Sequence, residues 1–197
     1  MATPDTKPRE DGPVLHIVAG LRIVLSTMLV CCIAYPAVIL LAGRMLSPGS
    51  AEGSLLRDEQ GRVIGSERIA QGFTRPEYFW PRPSAVDFDA AGAGGSNLSP
   101  ASPDLRSRVE AALRDFDVSS QGPVPADLVA ASGSGLDPDI SLAAARYQAE
   151  RVARARGVAV EAVLELVEAQ ARRPGGPLTP DRLVNVLQLN IALDRMR

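Results

Sequence analysis

Beyond residue 32 the chain has no cysteine, beyond residue 16 no histidine, and beyond residue 7 no lysine. Each absence removes a class of chemistry. Without cysteine, the long C-terminal part has no disulfide, no thiolate nucleophile and no thiolate metal site. Without histidine it has no Ser-His-Asp triad, no imidazole zinc site and no imidazole base. Without lysine it has neither a phosphate-binding loop nor a Ser-Lys dyad. Aromatic residues are few, with one Trp, three Tyr and four Phe, too few for a base-stacking platform. The net charge is -2 and no basic tract is present, which argues against phosphate-backbone binding. Carboxylates, arginine, tyrosine and hydroxyls remain.

What is abundant is apolar sequence near the start. Ile23 to Gly43 reads IVLSTMLVCCIAYPAVILLAG, uncharged and flanked by Arg22 and Arg44. As a helix rising about 1.5 Å per residue, it matches a hydrocarbon core about 30 Å thick. A signal peptide has a shorter apolar part. The reading is an uncleaved transmembrane helix at 21–43, after a tail at 1–20. Pro36 is tolerated in such a helix and can kink it. Lys7, Arg9 and Arg22 before the span slightly outweigh Arg44 and Arg57 after it, favouring an inside N-terminus. A linker at 44–53 then leads to a domain at 54–197, outside the cytoplasm.

That domain reads as α+β, compact and helix-rich, with an early small strand element. Leu55-Leu56 and Arg62-Val63-Ile64 flank a turn at Asp58–Gly61, the pattern of a hairpin. Phe73, Tyr78, Phe79 and Trp80 crowd among Pro76, Pro81 and Pro83, which predicts an irregular segment with its rings tucked into the core, an interface being the alternative for Trp80 and its neighbours. Ser102 and Pro103 open a helix with Leu105, Val109, Ala112, Leu113 and Phe116 on one face. Val124–Ser132 fits a short helix or a strand. Ser141 caps a helix that Gly157 ends. Val160, Val163, Leu164 and Val167 mark the next helix. Thr179, Pro180 and Asp181 open the last, with Leu183, Val186, Leu187 and Ile191 toward the core. There is no internal repeat and no heptad run.

Two stretches dense in Gly, Ser, Asp and Pro stand out, Arg82–Leu105 and Ala131–Ser141. In the second, Gly133-Ser134-Gly135 is too tight for a nucleophile elbow and lacks a histidine. A glycine nest can cradle phosphate, but the pattern is unspecific. Positive-φ glycines and capping by Asp137 and Ser141 make an ordered structural loop the stronger reading. Gly94, Gly95 and Asn97 give the first stretch the same character. The loop residues singled out, for the fold or for docking, are Gly94, Gly95, Asn97, Gly133, Gly135, Asp137 and Pro138. The pairs Asp87/Asp89 and Asp137/Asp139 offer too few oxygens for a cation site. Caps and solvated loops account for them. No catalytic residue, metal ligand or directly bound cofactor is assigned.

Five blocks in order carry a resemblance: GRVIGSERIAQGF from Gly61, RPEYFWPRPSA from Arg75, GGSNLSPASPDL from Gly94, PVPADLVAASGSGLDPDIS from Pro123 and NVLQLNIALD from Asn185. With them the chain resembles the C subunits of bacterial Kdp-type potassium-transporting ATPases. Ser99 departs from the family's usual glycine, and Asp139 from a frequent histidine. The resemblance implies a single-pass subunit of the bacterial inner membrane, N-terminus cytoplasmic and domain on the outer face. It implies as partners a channel-like potassium-translocating subunit, a P-type ATPase subunit and a very small membrane subunit. ATP and potassium would be handled by that complex, and hydrolysis would lie in the P-type partner. The subunit itself would stabilise or assemble the complex. The alternative is a nucleotide-binding regulatory subunit, with Gln188 or Gln148 as the contact. Neither glutamine's helix begins in a glycine-rich anion nest, so a helix-surface or interface hydrogen bond is expected of each.

Overall fold

The computed structural model describes residues 12–58, 60–116, 122–178 and 181–196. Most of the expected tail, with Lys7 and Arg9, lies outside the described residues, as do Thr179 and Pro180. The chain forms two compact units that divide after Glu52.

The first unit is one apolar helical rod. Helix α1 spans Pro13–Met28, a π-helical segment follows at Leu29–Ala34, and α2 spans Tyr35–Leu46. The continuous helix holds 34 residues, runs past 21–43 at both ends, and is long and apolar enough to cross a membrane. Its register change has a local cause. Pro36 has no N–H and its ring collides with the carbonyl four residues back. The helix widens by one residue there, and Tyr35 N–H reaches the carbonyl of Val30. Pro48–Ala51 adds one helical turn, α3, within the expected linker.

The second unit is α+β, as its sequence pattern indicates. Strands β1 (Leu55–Arg57) and β2 (Val63–Ser66) form the expected antiparallel hairpin. Asp58 makes its turn, with Oδ1 accepting from the backbone of Gln60 at 3.0 Å and Arg62 at 2.8 Å. Helix α4 (Pro103–Leu113) starts as read, with Ser102 Oγ accepting from Asp104 N–H. Its apolar stripe is only half-buried. The ambiguous Val124–Ser132 stretch is a short 3₁₀ turn at Ala126–Leu128, which buries Leu128.

The core is built from a strand-cap-helix unit used twice. Strand β3 (Asp139–Ser141) runs straight into α5 (Leu142–Arg156), and β4 (Leu183–Asn185) straight into α7 (Val186–Asp194). The strands pair antiparallel, Ile140 opposite Val184. Each ends in a capping residue: Ser141 Oγ accepts from Ala144 N–H, and Asn185 Oδ1 from Gln188 N–H, both at 3.0 Å. The last helix therefore begins at Val186, not near Asp181. The β-branched Val184 and its neighbours are drawn into the ladder with β3, where tertiary pairing overrides helix propensity. Gly157 ends α5 at φ +67°.

Helix α6 (Val160–Gln170) packs between these two helices. Ala144, Ala145, Ala149 and Val152 of α5 are buried with Val163, Val167, Leu189 and Leu193. Glu168 accepts from Arg146 and Arg182 and so ties α6 to α5 and to the approach to β4. Those two guanidiniums, Arg146 foremost, draw its pKa below the usual carboxylate range.

Ser141 does double duty, because Asp127 accepts from its N–H at 2.7 Å and from its Oγ at 3.2 Å. Replacing Ser141 with Ala should lower stability by about 1 kcal/mol. Chemical denaturation of the full chain in detergent measures this, and an unchanged midpoint would show that the cap is dispensable.

Candidate functional site

The site grows from the Arg75–Pro81 segment, RPEYFWP. Pro76 before its aromatics and Pro81 and Pro83 after them deny it regular structure, so its backbone polar groups must find partners elsewhere. Two buried side-chain amides supply them. Asn190 of α7 accepts from Phe79 N–H at 2.9 Å and donates to Phe79 C=O at 3.0 Å. Gln148 of α5 accepts from Trp80 N–H at 2.8 Å and donates to Trp80 C=O at 3.1 Å. Each amide reproduces the two-bond pairing of a sheet neighbour. Both residues are almost fully buried, Gln148 at 1% and Asn190 at 2% exposure.

The clamp decides where the rings go. Phe79 enters the core completely. Trp80, Phe73 and Tyr78 are half-buried, with Phe73 packed against the core, so of the two readings core holds fully for Phe79 alone. In an extended stretch neighbouring side chains point to opposite sides, so Phe79 and Trp80 cannot share one interior. Trp80 packs against Phe116, and Phe116 against Tyr147, at ring-centroid distances of 5.7 and 6.0 Å. Arg151 lies 3.7 Å over the Trp80 ring and donates to Pro76 C=O at 2.6 Å and Gln148 Oε1 at 2.7 Å. Burial pulls its pKa down to about 10, which leaves it cationic at neutral pH. On the segment's other side, Asp194 accepts from Tyr78 Oη at 3.1 Å and Arg156 Nη2 at 2.6 Å. Burial first, then Asp194, raises the Tyr78 phenol pKa. A cavity of about 470 Å³ opens beside Trp80, lined also by Phe73, Phe88, Phe116 and Leu128.

The two glycine-rich stretches are packed on each other next to this segment. Gly94 N–H donates to Ser134 C=O at 2.8 Å. A Cβ on Gly95 would sit 2.8 Å from the carbonyl oxygen of Gly133. Gly135 has φ +69°, and a Cβ there would lie 2.9 Å from Gly94 O and 3.0 Å from Ser84 Oγ. These positions take glycine because two backbones touch there. Ser132 N–H donates to Pro83 C=O, and Ala70 N–H to Leu136 C=O. Asp137 accepts from Arg82 Nη1 at 3.0 Å and from Asp139 N–H at 3.1 Å. Pro138 C=O accepts from Val186 N–H at 3.0 Å, joining the loop to α7.

Of the residues read from sequence, Gly94, Gly95, Gly133, Gly135, Asp137 and Pro138 thus meet in one layer. Asn97 is exposed, at φ +51°. Asp139 belongs to β3 and pairs with Arg172 at 3.0 Å. Gln148 is no helix-surface residue. Both lone-pair directions of its oxygen are taken, by Trp80 N–H and Arg151, so it is committed to the clamp. Gln188 is half-buried in the first turn of α7. Asn190 went unnoticed in the sequence, although an amide between Leu189 and Ile191 on an apolar helix signals a buried hydrogen bond. The turn at Val86–Asp89 was also missed. Asp87 and Phe88 both take positive φ, unusual for a bulky side chain, with Ser84 Oγ accepting from Phe88 N–H.

The chain is similar to known proteins along nearly its whole length. Residues 17–195 match the family described as K+-transporting ATPase, c chain, KdpC. The Potassium-transporting ATPase KdpC subunit of Parvibaculum lavamentivorans is 52% identical over 179 residues, covering 91% of this chain and 96% of that one. Its counterpart in Myxococcus xanthus is 50% identical over 182 residues, covering 89% and 86%. That of Herpetosiphon aurantiacus is 50% identical over 172 residues, covering 84% and 88%.

Two substitutions probe the site. Asn190→Leu keeps the volume but strands Phe79 N–H and C=O, at a cost of about 2–4 kcal/mol. Thermal unfolding reads the loss, and wild-type stability would show that the clamp is not needed. Gly135→Val should lower the melting temperature and complex recovery sharply. Gly133→Ala, whose Cβ meets nothing within 4 Å, should not. Equal behaviour of the two would contradict the packing described.

Proposed function

This chain belongs to the KdpC family, the c chain of K+-transporting ATPases, and from that premise we propose a finer role within the potassium transport complex. It is a non-catalytic accessory subunit that stabilises or assembles the complex, holding a channel-like potassium-translocating subunit to the P-type ATPase subunit, beside a small membrane subunit. ATP hydrolysis lies in the P-type partner. The apolar helix anchors the chain in the inner membrane with its N-terminus cytoplasmic, and the domain from about residue 54 faces outward.

The observation that carries this reading is the commitment of Gln148. A contact to nucleotide would require its amide to release Trp80 and Arg151, leaving buried backbone groups unpaired. The composition supports it, since the domain has no lysine to complete a phosphate-binding loop and no histidine to act as a base. The paired glycine loops and the half-exposed Trp80, Phe116 and Tyr147 offer a fixed surface for a partner. Tryptophan, tyrosine and arginine are the residues that most often anchor interfaces.

Orientation separates this from the nucleotide-handling alternative. Ser107, exposed on α4, is replaced by Cys in a Cys31→Ser, Cys32→Ser background, and whole cells are treated with an impermeant thiol reagent. Labelling of intact cells is the expected result. Labelling only after lysis would put the domain in the cytoplasm and bring the nucleotide reading forward, with Gln188→Ala and the KM for ATP as its next test.

A further inference from the structure

The π-helical segment leaves the backbone carbonyl of Cys31 without its helical donor in the middle of the apolar helix. In a regular helix Cys31 C=O would accept from Tyr35 N–H. Here Tyr35 N–H goes to Val30 C=O, and the next residue, Pro36, has no N–H at all. Cys31 C=O is therefore passed over. It lies close to the centre of the uncharged run from Ile23 to Gly43. Of the residues three and four positions on, which flank this carbonyl on the helix face, Ala34 is small and leaves one side open, while Tyr35 covers the other. In water the vacancy would be filled by solvent. In hydrocarbon it is not, because acyl chains donate no hydrogen bond and an unpaired acceptor is costly there.

We propose that Cys31 C=O accepts a hydrogen bond from a hydroxyl- or amide-bearing side chain on a transmembrane helix of a partner subunit, and that the π segment is the docking point of this span. The proposal rests on the span being membrane-embedded within the complex. Proline is kept inside membrane helices where a neighbour re-satisfies the groups it frees. π segments also recur at functional positions in helices. The occupant is a donor, since the vacancy is an acceptor. Alkyl side chains and the acceptor-only lipid esters do not fit it.

The chain's two cysteines make the test direct. Cysteine carrying carbonyl carbon-13, in a Cys32→Ser variant, labels the Cys31 carbonyl alone. The labelled full chain is compared by infrared spectroscopy alone in a bilayer and in complex with unlabelled partner subunits. A free-carbonyl amide I band alone that shifts to a hydrogen-bonded one in the complex supports the proposal. A free band in both states, or a bonded band in both, overturns it. Pro36→Ala restores the missing N–H and gives Cys31 C=O an internal donor. Its association with the complex should weaken about three- to tenfold, the worth of one interhelical hydrogen bond. Undiminished recovery would also overturn the proposal. Carbonate extraction and co-purification of the wild-type chain guard the premise. A wild-type chain that leaves the membrane or its partners sinks the accessory-subunit reading. One that stays, with its carbonyl free, sinks only the docking point.

Discussion

The amides of Gln148 and Asn190 stand in for a missing sheet strand, and the domain is arranged around that substitution. The Arg75–Pro81 segment carries the aromatics the core needs, yet its prolines keep it out of any ladder. Without the amides, Phe79 could enter the interior only by leaving its own backbone unpaired. With them, burial of Phe79 contributes about 2–3 kcal/mol without that penalty. Because Gln148 rises from β3–α5 and Asn190 from β4–α7, the segment is held by both halves of the repeated strand-cap-helix unit. The core and the aromatic surface are therefore positioned by the same four hydrogen bonds.

The glycine loops depend on that arrangement. Arg82 and Pro83 continue directly from the clamped segment and bond to Asp137 and Ser132 of the second loop. The second loop passes through Pro138 into β3, and Pro138 bonds to the start of α7. Close backbone contact between Gly95 and Gly133 closes the layer. A chain with no disulfide in this domain thus fixes long loops by steric fit and shared hydrogen bonds. That fixed surface is what an accessory subunit needs, because a partner then meets a surface already ordered and ordering costs little on binding.

Much of this was legible from residue types alone. The helix starts at Ser102 and Ser141, the stop at Gly157, the Asp58 hairpin and the apolar helix all rest on local chemistry, which sequence records directly. The order of the glycine stretches was legible too, through Asn97, Asp137 and the absence of a repeated linker composition. Their mutual contact was not, since it joins residues about forty positions apart. Strand β4 was hidden because Leu183–Asn185 is a strand only by virtue of β3. The clamp was hidden for the same reason: an amide on a helix reveals its burial only once the segment it faces is known. The π segment had a sequence cause in Pro36, but the passed-over carbonyl needed the observed Tyr35 bond.

The central claim is that the Phe79 and Trp80 backbone is locked by Gln148 and Asn190, and amide hydrogen exchange tests it most directly. In the full chain, both N–H groups should exchange only through global opening, as slowly as the buried turns of α5 and α7. Exchange as fast as that of the exposed Ala93 would mean that the segment opens by itself, and the account of the domain built on the clamp would be wrong.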